Sequence, residues 1–216
     1  MAEVKVKSKV LIKNDKIADT INSRFRENNI VSLNLIGSPG SGKTTLLEAV
    51  LPRIKDSLSF GVIEGDVKTE NDMKRIAAFD VPVTQIQTQG SCHLNADMVD
   101  AVLDEFSLPE LDVMIIENVG NLICPVAYNL GEDYRVVVIS VTEGEDKPLK
   151  YPSAFISADV LIITKADLAP YVDARIEVLK ENAISINPKL TVFITSAKTG
   201  EGIDEFIDFL KTDHKR

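Results

Sequence analysis

One eight-residue segment carries the clearest chemistry in the chain. Gly37-Ser38-Pro39-Gly40-Ser41-Gly42-Lys43-Thr44 fits the spacing G-x-x-x-x-G-K-[ST] without a mismatch. The glycines let such a loop wrap a phosphate so that backbone N–H groups point inward. Lys43 supplies a point charge to the β- and γ-phosphates, and the Thr44 hydroxyl is a ligand for Mg²⁺. The segment needs a strand before it and a helix after it. The apolar run Val31–Ile36 reads as the strand, and Thr45 opens a helical pattern that reaches about Lys55 and adds its N-terminal dipole. Pro52 lies inside that pattern and is expected to kink or shorten the helix.

Two carboxylates are spaced to work beside that loop. Glu117 closes the apolar run Val113–Glu117, and Gly120 follows three residues later. A strand-end carboxylate of this kind orients the water ligands of Mg²⁺, while the glycine N–H senses the γ-phosphate. Asp66, in Gly65-Asp66-Val67, follows another apolar run and is placed to reach the same Mg²⁺ or the attacking water; Gly-Asp is equally a turn pair. The expected catalytic residues are therefore Lys43, Asp66 and Glu117, with Thr44, Asp66 and Glu117 as Mg²⁺ ligands. No glutamine follows Gly120, so slow intrinsic hydrolysis is expected unless a partner or a dimer completes the site.

Two later segments speak to the base. Thr164-Lys165-Ala166-Asp167 and Ser196-Ala197-Lys198 each follow an apolar run. They resemble the guanine-recognition elements of GTPases, usually written N-K-x-D and S-A-K. The Asp167 carboxylate can accept two hydrogen bonds from the N1–H and N2–H₂ edge of guanine, an edge that adenine lacks. The Lys165 stem can lie on the base and the Ala197 N–H can bond to O6. A buried polar match of this sort discriminates strongly. Thr164 stands where the pattern has Asn, which predicts one supporting contact fewer and weaker affinity for guanine.

The chain has two cysteines, Cys92 and Cys124, and two histidines. Cys92 adjoins His93, and Cys124 lies seven residues beyond Glu117, on the stretch that also carries Gly120. Thiolate and imidazole are good ligands for Ni²⁺ and Zn²⁺, and two chains about a two-fold axis would offer six of them. The alternative is a pair of cysteines acting as small hydrophobes beside a surface histidine.

These residues need a scaffold. Apolar runs at Val31–Ile36, Phe60–Glu64, Val83–Gln87, Val113–Glu117, Val136–Val141, Val160–Thr164 and Val192–Thr195 read as strands. Helical patterns lie at residues 14–29, 45–55, 94–106, 173–186 and 203–210, with none between Val113–Glu117 and Val136–Val141. The alternation predicts an α/β chain of the P-loop NTPase kind, with a mostly parallel sheet and helices on both faces. A single GTPase domain over residues 1–216, led by the helix at about 14–29, is expected.

Composition narrows the function. The 216 residues include 44% hydrophobic and 26% charged residues, which excludes wholesale disorder. No apolar run approaches a membrane span, and the start MAEVKVKSKV has no apolar signal region, so a cytoplasmic location without membrane partners is expected. A formal charge of −9 argues against nucleic acid as the main partner. The basic ending HKR is read as a solubility feature. In a reducing cytosol, paired cysteines more often bind metal or do redox chemistry than form a structural disulfide.

The whole set of motifs closely resembles the hydrogenase nickel-incorporation GTPases, the HypB family. The resemblance rests on Gly37–Thr44, Gly65-Asp66-Val67, Cys92-His93-Leu94-Asn95-Ala96-Asp97, Glu117-Asn118-Val119-Gly120-Asn121-Leu122-Ile123-Cys124-Pro125 and Thr164–Asp167, and spans residues 14 to 210. It implies a GTP-dependent homodimer of the dimerising P-loop class that helps deliver nickel to the large subunit of [NiFe]-hydrogenase, with a second nickel-handling maturation protein as partner. It carries Cys92, His93 and Cys124 over as the metal site of the GTPase domain. Urease-accessory GTPases are similar, but have a Cys-Pro-His arrangement where this chain has Cys92-His93. Many bacterial members carry an N-terminal cysteine motif or His-rich stretch; this sequence has neither, so tight N-terminal nickel storage is not expected. Lys147 and Lys150 could supply charge across a dimer, although a solvated loop is the simpler reading. The rival readings are a translation or signalling GTPase whose cysteines are structural, a small-molecule kinase, against which stand Asp167 and the lack of evident lid and substrate motifs, and a metal-binding module that works without nucleotide.

Overall fold

Strands that are apolar on both faces must be covered on both faces, and that requirement organises the molecule. The computed structural model describes residues 2–66 and 71–213. Its seven strands are β1 (Val31–Gly37), β2 (Phe60–Asp66), β3 (Val83–Gln87), β4 (Val113–Glu117), β5 (Tyr134–Ser140), β6 (Val160–Thr164) and β7 (Thr191–Ile194). They form one sheet in the order β3-β2-β4-β1-β5-β6-β7, with every pairing parallel.

The helices are α1 (Ala2–Glu27), α2 (Lys43–Ile54), α3 (Asn71–Ala77), α4 (Ala96–Leu103), α5 (Lys147–Lys150), α6 (Pro152–Ile156), α7 (Ile176–Ile186) and α8 (Ile203–Asp213). Alternate strand residues sort into separate cores. Leu33, Leu35, Val113, Ile115, Val136 and Val138 pack with α2, α3 and α8. On the opposite face, Ile63, Met114 and Ile116 pack with α1 and α4, while Val137, Ile139, Leu161 and Ile163 pack with α6 and α7.

The sheet matches the expected class, and several bounds differ. The leading helix reaches back to Ala2 instead of beginning near residue 14. Its apolar stripe (Ala18, Ile21 and Phe25, all fully buried) does begin where the pattern indicated. The added turns extend an existing helix, and propagation costs far less than nucleation. The pattern at 94–106 shortens to Ala96–Leu103, because Asn95 caps the helix by accepting from Met98 N at 3.0 Å. The pattern at 173–186 starts only at Ile176. Helix α2 ends at Ile54, two residues after Pro52. Val67 and the basic ending HKR lie outside the described residues.

Strands β1, β2, β4, β5 and β6 present their C-terminal ends at one edge. The strand order turns about β1, with β4 on one side and β5 on the other. Such a switch point opens a crevice for ligands. The connection from β4 to β5 contains no α-helix, as expected, and holds a single short 3₁₀ turn at Pro125–Ala127.

Candidate nucleotide and metal site

The crevice begins with the loop after β1. Gly40 and Gly42 have φ of 74° and 95°, a left-handed conformation that favours glycine and bends the chain into the start of α2. Lys43 and Thr44 form the first turn of α2, and both are buried. The loop lines a cavity of about 470 Å³ together with Glu64, Asp66, Asp72, Arg75 and Glu117. Thr45 is exposed, and its hydroxyl accepts from Arg75 at 3.0 Å. Ser38 accepts at its carbonyl from Ser41 N at 3.1 Å. The Ser41 hydroxyl is buried and unpaired.

The strand ends supply the carboxylates. Glu117 Oε1 accepts from the Thr44 hydroxyl at 2.9 Å and lies 3.9 Å from Lys43 Nζ. The parallel register sets Glu64 of β2 opposite Glu117 of β4. Glu64 Oε1 and Glu117 Oε2 are both buried without a hydrogen-bond partner. Burial pushes the Glu64 carboxyl up to about 10, helped by the charges of Glu117 and Asp72. Burial also raises Glu117, against the opposing pull of Lys43. Two orphaned acidic oxygens beside a buried hydroxyl suit a hard divalent cation such as Mg²⁺. Asp66 ends β2 and lines the same cavity.

Gly120 approaches the phosphate loop closely. A side chain there would sit 3.1 Å from Pro39 N, Cα and Cγ. The adjacent Asn121 bridges to Gly37 in an isolated antiparallel pair. The segment after Glu117 is therefore pressed against the loop that follows β1.

A second cavity, of about 240 Å³, continues from the first and is lined by Thr164, Lys165, Asp167, Leu168, Ala197 and Lys198 among others. The Ser196 hydroxyl does not face it. It donates to Asp167 Oδ1 at 2.6 Å and so fixes the carboxylate. Lys165 has φ of 58° and donates from Nζ to Gly40 O at 2.7 Å, spanning the cavity mouth. The Thr164 hydroxyl donates to Ser41 O at 2.5 Å. This hydroxyl links the base segment directly to the phosphate loop.

The cysteines also come together. The ligand atoms of Cys92, His93 and Cys124 lie within 4.8 Å of one another, and all three residues are half-buried. His93 stacks on Tyr128 with ring centroids 4.0 Å apart. Burial holds its imidazole below the usual range, which keeps a lone pair free for a metal at neutral pH. Hydrogen bonding to Cys92 raises the Cys124 thiol, so metal must displace protons on binding. Asn121 Oδ1 accepts from Ile123 N at 2.8 Å and Cys124 N at 3.4 Å, tying the thiol to the residue that bridges the phosphate loop.

Five residues of the site were not legible as such. Glu64 reads as the end of an apolar strand. Asp72 lies in the first turn and Arg75 in the last turn of α3, where Arg75 pairs with Glu48 at 2.6 Å and Asp72 at 2.7 Å. Their Asp-x-x-Arg spacing was the available signal. Asn118 stands within the Glu117–Pro125 motif but its role was not signalled, and Tyr128 gave no signal, because the Asn34 amide and the His93 ring that they meet are distant in sequence. Lys147 and Lys150 pair with Glu143 and Asp146 at 2.9 and 2.6 Å. Among the described residues no helix is long and apolar enough to cross a membrane.

Comparison with known proteins gives a consistent result. The model of the CobW/HypB/UreG nucleotide-binding domain matches residues 31–194. The hydrogenase maturation factor HypB of Escherichia coli is 44% identical over 212 residues, which span 98% of this chain and 72% of that protein. The hydrogenase/urease maturation factor HypB of Helicobacter pylori is 42% identical, over 96% of this chain and 87% of its own length. The crystal structure of HypB from Helicobacter pylori in complex with nickel superposes with a TM-score of 0.88 at 41% identity, covering 94% of this chain and 95% of that one.

Proposed function

The chain belongs to the CobW/HypB/UreG nucleotide-binding family, and on that premise we propose that it is a GTP-binding, GTP-hydrolysing factor that helps insert nickel into [NiFe]-hydrogenase during maturation. Residues 37–45 and Gly120 take the phosphates, while Thr164, Lys165, Asp167, Ser196, Ala197 and Lys198 take or support the guanine. Thr44, Asp66 and Glu117 would hold Mg²⁺, which when bound supplies charge neutralisation for the phosphates. Lys43 balances the developing phosphate charge, and Asp66 orients water. Cys92, His93 and Cys124 hold Ni²⁺ as cargo, with Zn²⁺ the competing metal.

One observation carries this reading. The thiol of Cys124 joins Cys92 and His93 within 4.8 Å, on a segment that begins at the Glu117 carboxylate and passes the phosphate loop at Gly120. Binding of GTP orders Gly120 and moves Cys124, and hydrolysis reverses the shift. Dimerisation gains support from exposed Leu149 and Tyr171, large side chains that a partner copy would cover. A nickel-handling maturation protein and the hydrogenase large subunit are the partners, and free thiols suit a cytoplasmic setting.

The test is Ni²⁺ affinity and oligomeric mass for wild type and Cys92→Ala, each with GDP and with a non-hydrolysable GTP analogue. Nickel binding that needs Cys92 and changes with the nucleotide is the expected result. Equal affinity and equal mass with both nucleotides would sink the switch. A second reading, delivery to urease, draws on the Helicobacter pylori relative named for both enzymes; co-purification with hydrogenase or urease precursors separates the two.

A further inference from the structure

We propose that Asn118 is the positioning residue through which the nucleotide sets the geometry of the metal site, acting on both of its arms by a buried amide relay. This rests on the nickel-switch reading above.

The relay starts at the phosphates. Asn118 follows Glu117, whose carboxylate takes the Thr44 hydroxyl, and its own N–H is pinned to Leu35 O at 3.0 Å. Its side chain is 1% exposed and fully engaged. Oδ1 accepts from Leu94 N at 3.1 Å and Val119 N at 3.0 Å. Leu94 is the residue after Cys92-His93, so one branch holds the first metal arm directly. Nδ2 donates to Asn34 Oδ1 at 3.1 Å.

The second branch runs through Asn34, which is fully buried. Asn34 Nδ2 donates to Glu132 Oε1 at 3.2 Å, and the same oxygen accepts from Arg135 Nε at 3.0 Å and Nη2 at 2.8 Å. Arg135 then donates to Val126 O at 3.0 Å and Tyr128 O at 3.2 Å. These carbonyls lie just beyond Cys124, and the Tyr128 ring is the one stacked on His93. Both arms of the metal site therefore hang on one side chain adjoining the carboxylate that meets Thr44.

Such a chain behaves as a unit. Asn118 and Asn34 are buried and Glu132 and Arg135 are half-buried, and an unpaired buried amide is costly, so displacement of Asn118 forces its partners to move with it. A residue that merely stabilised the fold would alter nickel binding equally in both nucleotide states. A relay residue alters the ratio between them.

The experiment measures Ni²⁺ affinity with GDP and with the GTP analogue in wild type and Asn118→Leu, a substitution of similar size without polar atoms. Wild type should show a ratio of about fivefold or more, the low end of ordinary coupling. The variant should bring that ratio close to unity. A second measurement needs no variant: the hydrogen-exchange rate of the Leu94 amide in wild type should differ between the two nucleotide states. A variant that keeps the wild-type ratio, or a Leu94 amide that exchanges identically in both states, overturns the relay while leaving the nickel switch intact. A wild-type ratio of one overturns the switch and the relay together.

Discussion

Replacing Thr164 by Val asks whether the base-recognition segment and the phosphate loop are one mechanical piece. Thr164 is 5% exposed, and its hydroxyl donates to Ser41 O at 2.5 Å and lies 3.3 Å from Ile139 O. Valine has the same shape and the same preference for a strand end, so the change opens no cavity. What it removes is the donor to a carbonyl of a fully buried residue. Leaving a buried acceptor unpaired costs about 1–3 kcal/mol, or roughly 5- to 150-fold in the folding equilibrium.

Nucleotide binding should feel part of that loss. The Thr164 hydroxyl also lies 3.3 Å from where a side chain on Gly42 would begin, so it bounds the loop that must close on the phosphates. Urea unfolding of nucleotide-free Thr164→Val should show the full decrease in stability. Fluorescent GDP titration should show a smaller decrease in affinity, because bound phosphate re-orders the loop. Stability within about 0.5 kcal/mol of wild type, the range of neutral surface changes, would refute the reasoning.

Three other substitutions test separate parts of the site. Ser196→Ala removes the donor held 2.6 Å from Asp167, and GDP affinity should fall about fivefold for roughly 1 kcal/mol of lost orientation; an unchanged affinity means the carboxylate is held otherwise. Gly120→Ala sets a methyl 3.1 Å from three Pro39 atoms, and overpacking of about 1–3 kcal/mol should weaken the GTP analogue more than GDP in paired titrations. Glu64→Gln tests the buried carboxyl. Its pKa is raised from 4.5 to about 10, so between those values the native chain holds a proton that the unfolded chain has released. Stability must then fall as pH rises through that window. With chelator present, wild type should lose more stability than Glu64→Gln between about pH 5 and about pH 9 by urea unfolding; equal losses would show that Glu64 is not the group responsible.

What could be read from the sequence, and what could not, divides along a physical line. The phosphate loop, the strands and the base segments were legible because their signals are local: glycines at fixed offsets, apolar runs, and charged residues at strand ends. The cluster of Cys92, His93 and Cys124 was legible as a set of candidates, since Cys92 adjoins His93 and Cys124 shares a stretch with Gly120, while their approach within 4.8 Å depends on the fold. The hidden residues depend on contacts across the chain. Glu64 becomes a site residue because β2 and β4 align it with Glu117. Asn118 and Asn34 find each other across 84 residues of sequence. Thr164 shows the difference most sharply. By comparison with a motif it is a missing amide. In the folded chain its hydroxyl reaches 123 residues back to a loop carbonyl that no local pattern could reveal. A motif specifies which groups meet the ligand, whereas the groups that hold those in place are chosen by packing. The same division explains why loss of a buried amide such as Asn118 leaves donors and acceptors on three segments without partners.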